Sequence, residues 1–264
     1  MAPFVRIDEK RDYAIVTIHR GPVNAMNLQM WEELQAALDR IEGNPKMRGL
    51  IFCSGLEKDI FTAGNDLSEL YAPMTSLEGY TKFWTTQNVF IGNLYQSGLV
   101  TVSAIRGACP AGGCAISLAC DYRIMSQGVG HIGLNEPQIG LMVPPLWMEL
   151  FAKVVGERQA EMLGFNGSVV SPEEAKRIGL VDLLAPKEKL LEAAEAVLQK
   201  WLKIPSFGRS LTKKNTRADL GSRFADREAL KSDSENGWMF ISSPQTVKAM
   251  KATMDRLAGQ GAKL

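Results

Sequence analysis

The sequence predicts an α/β protein with mainly parallel strands, followed by a helical C-terminal region. Three observations carry that expectation. Between residues 45 and 185, short strand-like runs alternate with segments of helical periodicity, the pattern of stacked α/β units. The runs Gly49–Ser54 and Leu99–Ile105 are almost continuously apolar or β-branched, as in strands covered on both faces. From Lys187 onward strand signals stop, and Leu190, Leu191, Ala194, Val197, Leu198 and Trp201 recur at helical spacing. We therefore divide the chain into an α/β core over 1–200 and a helical appendage over 201–264.

The elements follow in order. Val5–Ile7 and Ala14–Ile18, separated by charged residues, form a hairpin-like pair of strands. Gly21-Pro22 breaks it, and Asn24–Asn27 is a polar connection with Asn27 placed to cap a helix. In that helix Leu28, Trp31, Leu34, Leu38 and Ile41 make one apolar face, and Gly43 to Pro45 end it. After the strand at 49–54 comes a loop over 58–66. Leu67–Leu70 starts a helical pattern, and a long amphipathic segment runs from about Leu77 to Gln96. The next strand, 99–105, turns through Gly107 and Pro110 into a small, apolar helix from Gly112 to Cys120.

Tyr122–Met125 repeats the strand theme, then His131–Leu134, a loop over 135–140, and a helix from Pro144-Pro145 to about Val155. Ser171-Pro172-Glu173-Glu174 is a capping box that makes Ala175–Ile178 helical. Leu180–Leu184 is a last short strand. Breaks at Pro205, Gly221 and Ser243-Pro244 divide the remainder into helices, among which Trp238–Ile241 is an apolar step fit to pack on the core or on another subunit.

Composition bounds the function. A net charge of +1 gives no electrostatic basis for binding nucleic acid or an anionic membrane. No apolar run approaches the ~20 residues that span a bilayer. The four cysteines (Cys53, Cys109, Cys114, Cys120) lie in apolar surroundings without zinc spacing, so core thiols are expected and no metal site. His131 is expected to be a polar partner in the core. The first residues lack a secretory h-region and an Arg/Ser-rich transit segment, and Ala262-Lys263-Leu264 loosely resembles a peroxisomal address.

Two loops, Ala63-Gly64-Asn65-Asp66 and Ala111-Gly112-Gly113, each follow a strand and precede a helix. Helix starts with unshielded N–H groups suit a negatively charged oxygen. Two such donors converging on one oxygen form an oxyanion hole, in which one donor contributes ~2.7–4 kcal/mol to the transition state. Asp66 is expected to cap the helix after the first loop.

Phe61–Leu67, then Ala104-Ile105-Arg106-Gly107 through Gly112-Gly113-Cys114, then Asp121-Tyr122-Arg123-Ile124, resemble in order and context the crotonase (enoyl-CoA hydratase/isomerase) superfamily. The likeness extends over roughly residues 5–185, and the helical tail fits as well. It implies a crotonase-like spiral of ββα units with a C-terminal helical trimerisation region, an acyl-CoA thioester substrate and a homotrimer. No cofactor is implied, coenzyme A being part of the substrate. Carried over position by position, the oxyanion-hole N–H groups belong to Asn65 and Gly112. The substrate-binding neighbours are Ala63, Gly64, Asp66, Leu67, Gly113 and Asn135.

Hydratases of this family pair two glutamates. Here the first position is Ala115, and the second is Glu136, four residues before Gly140. A hydratase must activate water, whereas a double-bond shift needs one base to move a proton from C2 to C4. One glutamate with one oxyanion hole thus implies Δ3,Δ2-enoyl-CoA isomerisation with Glu136 as base. Leu134, Ile139, Leu141, Met142 and Val143 would wall that base and raise its pKa toward neutrality.

A hydratase or other CoA thioester enzyme of the fold, and a non-catalytic acyl-CoA-binding scaffold, are the alternatives. Ser68 stands where relatives carry a phosphate-binding lysine, so phosphate contacts must come from elsewhere, the tail's Lys and Arg residues being candidates. The segment 75–96, with Phe83, Trp84 and Phe90, is either an acyl-channel wall or ordinary core. The resemblance implies the mitochondrial matrix, with the peroxisome as alternative.

Overall fold

In the computed structural model, which describes residues 2–261, the chain opens on β1 (Val5–Glu9) and β2 (Tyr13–Ile18), paired antiparallel with Val5 opposite Ile18. Helix α1 (Leu28–Glu42) leads to β3 (Gly49–Ser54), and α2 (Leu77–Gln96) to β4 (Val100–Ile105). Then follow β5 (Cys109–Pro110), α3 (Gly112–Ala119), β6 (Tyr122–Ser126) and β7 (Ile132–Gly133). Helices α4 (Pro145–Val155), α5 (Glu157–Asn166) and α6 (Pro172–Arg177) precede β8 (Leu183–Ala185). The chain ends in α7 (Leu190–Leu202), α8 (Ser206–Ala225), α9 (Arg227–Ile241) and α10 (Pro244–Gly261).

Six strands form one sheet in the order β1-β2-β3-β4-β6-β8, parallel from β2 onward. Side-chain alternation sorts the two faces. Ile51, Val100, Val102, Ala104 and Ile124 face α7, packing on Leu190, Ala194, Leu198 and Leu202. Leu50, Phe52 and Ile105 join the other, larger core with residues of α1, α2 and α3. Covering on both faces is why β3 and β4 carry apolar residues throughout.

A second, shorter layer is built from the connections. β5 pairs with β7 in parallel, and single parallel bridges join Met26 to Asn65 and Ile60 to Ala108. Each turn of chain thus lays its loop against the previous turn's loop. That stacking brings the two glycine-containing loops together.

The expected elements are present with several corrections. Gly221 does not break a helix: α8 runs through it, and a Cβ there would lie 2.2 Å from Gln96 Cδ, so the glycine permits close packing on α2. The chain turns at Asp226 instead, whose side chain caps α9. The pattern at Leu67–Leu70 forms only a 3-10 turn over Leu67–Glu69, and Leu180–Val181 lie in the approach to the shorter strand β8. Helix α5 was not anticipated; it buries only Ala160 and Gly164, too little for an apolar stripe. His131 is exposed rather than a core partner, because β7 begins one residue later. The Ala262-Lys263-Leu264 end lies outside the described residues. Among the described residues no helix is long and apolar enough to cross a membrane.

Candidate active site

Asn24 fixes the first loop. It is fully buried, with φ of 53°, and its amide donates to Ile18 O, Ser54 Oγ and Phe61 O. Thr62 Oγ1 donates to Asn24 O and accepts from Gly64 N. Around Asn65 the backbone is otherwise spoken for: Ala63 N donates to Val23 O, Met26 N to Gly64 O, and Asp66 N to Met26 O. Among the described residues the Asn65 N–H has no acceptor.

Gly112 opens α3, and its N–H is one of those a helix leaves unpaired at its start. The preceding Ala111 holds φ of 51°, outside the usual range for a residue with a Cβ, and sets the direction of that start. The two loops touch. A Cβ on Gly64 would lie 2.9 Å from Ala111 Cβ and 3.8 Å from Gly112 N, and one on Gly112 would lie 3.1 Å from Asn65 Oδ1. Gly64, at φ of 88°, also needs its conformational freedom. Gly113 is buried behind them, with Thr62 Cγ2 2.4 Å from where its Cβ would be.

Glu136 begins a 3-10 turn, Glu136–Ile139, that Gly140 closes at φ of 80°. The residue is 6% exposed, and its Oε2 has no hydrogen-bond partner among the described residues. Burial pushes the carboxyl up to about 7, which makes it a base able to gain and lose a proton near neutrality.

Glu136 and Asn65 stand where two cavities meet. The outer cleft, about 600 Å³, is also lined by Ala63, Asp66, Leu67, Ala111, Asn135 and Arg256. The inner pocket, about 40 Å³, is bounded by Tyr80, Trp84, Gln87, Leu141, Trp147 and Phe240. Besides Glu136, the one carboxylate lining either cavity among the described residues is Asp66. Burial would raise its pKa, but hydrogen bonds from Ser68 and Arg20 outweigh this and hold it below the usual range, making it a poor base. It also caps the turn that follows, accepting from Ser68 N.

The chain matches the enoyl-CoA hydratase/isomerase family over residues 8–258. Enoyl-CoA delta isomerase 1, mitochondrial, of Mus musculus is 35% identical over 246 residues, 92% of this chain and 83% of that protein. The Homo sapiens protein of the same name is 35% identical over 255 residues, 96% of this chain and 82% of that one. This chain belongs to the enoyl-CoA hydratase/isomerase family. Its fold follows the solved structure of human mitochondrial delta3-delta2-enoyl-CoA isomerase with a TM-score of 0.92 at 33% identity, over 97% of this chain and 99% of that one.

Within this enoyl-CoA hydratase/isomerase fold, Ala115 is fully buried in α3 and contributes no carboxylate. Of the apolar wall expected around Glu136, Leu141 lines both cavities, Met142 the inner one and Ile139 the outer one; Leu134 is core. Segment 75–96 divides: Trp84 lines the inner pocket, whereas Phe83 and Phe90 are core, the Phe90 ring tilted at 53° against Trp31 with centroids 5.7 Å apart. From the apolar step, Phe240 and Ile241 line the inner pocket, while Trp238 packs on Tyr80 and Met239 is exposed. Sequence reasoning missed Asn24, Thr62 and Gln87. A polar side chain in an otherwise apolar helical stripe was the available signal for Gln87.

Proposed function

We propose that this protein is a Δ3,Δ2-enoyl-CoA isomerase, converting cis- or trans-3-enoyl-CoA to trans-2-enoyl-CoA in the oxidation of unsaturated fatty acids. The observation that carries the reading is the buried carboxylate of Glu136, whose Oε2 has no partner among the described residues, sharing both cavities with Asn65, whose unpaired N–H lies in the loop that touches the Gly112 helix start. Glu136 takes the C2 proton, the negative charge moves to the thioester oxygen, and the N–H groups of Asn65 and Gly112 receive it. The same carboxyl then returns its proton at C4, so no second acid and no water is consumed. Two relatives named as enoyl-CoA delta isomerases support this over hydration.

The outer cleft suits the coenzyme A portion, with Ala63, Asp66, Leu67 and Asn135 lining it near the thioester, while Gly64 and Gly113, buried behind them, shape the two loops without lining the cleft. Arg256 on α10 supplies a cation where Ser68 cannot. The reaction needs no cofactor. A homotrimer and a mitochondrial setting complete the proposal, the latter supported by the relatives' names.

The test is conversion of 3-hexenoyl-CoA by the parent protein and by Glu136→Gln. We expect the substitution to slow turnover about 10²–10⁴-fold, the range of a lost general base. Equal activity of the two proteins would remove Glu136 from the role, and faster hydration of crotonyl-CoA than isomerisation would favour a hydratase. Light scattering should give three times the chain mass of 29.0 kDa.

A further inference from the structure

The side chain of Asn65 is held at both ends. Trp31 Nε1 on α1 donates to its Oδ1 at 3.2 Å, and its Nδ2 donates to Gln87 Oε1 on α2 at 2.8 Å. The direction of this chain is fixed by chemistry. An indole nitrogen only donates, so the oxygen of Asn65 must face Trp31 and its amide nitrogen must face Gln87. Gln87 must then turn its own oxygen to Asn65. Its Nε2 is left on the far side, without a partner among the described residues, and Gln87 lines the same inner pocket as Glu136.

Both flanking groups are buried. Trp31 is fully buried and Gln87 is 1% exposed. The pair also spans the two helices that flank the loop, and Asn65 Oδ1 sits 3.1 Å from where Gly112 would carry a Cβ, so the chain of bonds passes beside both candidate oxyanion donors. A backbone N–H contributes to an oxyanion hole only if it is already aimed when charge develops. The peptide group that carries this N–H is held at its other end by Met26 N donating to Gly64 O, and the clamped side chain adds a second restraint at the Asn65 Cα.

We propose that Trp31, Asn65 and Gln87 form a directional hydrogen-bond relay in which Gln87 is a positioning residue for the Asn65 N–H and presents its own amide donor to the pocket holding Glu136. The inference rests on the isomerase reading above. A protein without isomerase activity would defeat that reading, whereas the relay is judged by its variants in a protein that isomerises.

The experiment is a double-substitution cycle with Gln87→Met, Trp31→Phe and the pair, on 3-hexenoyl-CoA, with melting temperatures recorded. Each single substitution is expected to lower kcat about tenfold with KM within about twofold, and the pair is expected to be little worse than one alone, because either change releases the same side chain. Losses that multiply, losses confined to KM, or a Q87M kcat within about twofold of the parent would overturn the relay. Because Trp31 lies in the core, a W31F protein that does not fold passes the decision to Gln87 alone. There, slowed turnover at unchanged KM and melting temperature supports the proposal, and a kcat loss that only tracks a lower melting temperature overturns it.

Discussion

At the scale of the residue, Glu136 combines a charge-bearing group with an environment that penalises charge. Its carboxyl stands at about 7 against an ordinary 4.5, a shift caused by burial. Such a group is neutral in both folded and unfolded chains below about 4.5 and costs nothing there. Above that value the unfolded chain releases the proton while the folded one keeps it, so stability falls as pH rises, until the folded carboxyl has itself ionised above about 7. The full penalty is about 3 kcal/mol. Glu136→Gln is therefore expected to raise the melting temperature at pH 8 and leave it nearly unchanged at pH 4. Isomerase activity should fall as pH drops through about 7, since only the ionised form accepts the C2 proton. Equal thermal shifts at both pH values would show that the site is wetter than its geometry indicates.

At the scale of the element, function depends on loops held against one another by backbone bonds. Gly64 is where that holding is tightest, with φ of 88° and Ala111 Cβ 2.9 Å from the position of an added Cβ. Gly64→Ala must strain its own backbone and push Ala111 away, moving the start of α3. Expected are a loss of about 1–3 kcal/mol in stability and at least a tenfold fall in kcat, read by thermal melting and steady-state kinetics. Much at this scale was legible in the sequence. Asn27 caps α1 by accepting from Met30 N, and Ser171 caps α6 by accepting from Glu174 N, as their local patterns indicate. Such caps are decided within four residues. Gly221 misled because glycine has two uses, ending helices and permitting close approach, and the neighbour that selects the second, Gln96, is remote in sequence.

At the scale of the whole molecule, the helical tail is tied to the strand layers through a buried charge cluster. Asp121, at the turn between α3 and β6, accepts from Lys213 on α8 at 2.9 Å and lies 3.2 Å from Arg217. It also accepts from Thr101 N. Lys213→Met would leave the buried Asp121 charge with Arg217 and the Thr101 N–H alone, a loss below the ~3–5 kcal/mol of a wholly uncompensated buried charge. A marked drop in melting temperature is expected, with KM and kcat at permissive temperature near those of the parent. A thermally silent substitution would mean that the tail is held by its other contacts, the buried Leu220 and Phe224 and the bonds from Arg209 and Arg217 to backbone carbonyls.

The sequence by itself determined the α/β class, the helical tail, the two loops, the lone carboxylate and its absent companion at Ala115. Each rests on side-chain identity, local periodicity or order along the chain. Tertiary structure decided which N–H groups stay unpaired, that Asn24 straps the first loop, and that Gln87 reaches Asn65. It also decided how dry Glu136 is. These are properties of groups brought together by stacked turns of chain: Asn24 meets Phe61, Trp31 meets Asn65, and Glu136 shares a wall with Asn65. Hydrogen-bond vacancy and desolvation arise only when such distant segments exclude water together, so no local pattern encodes them.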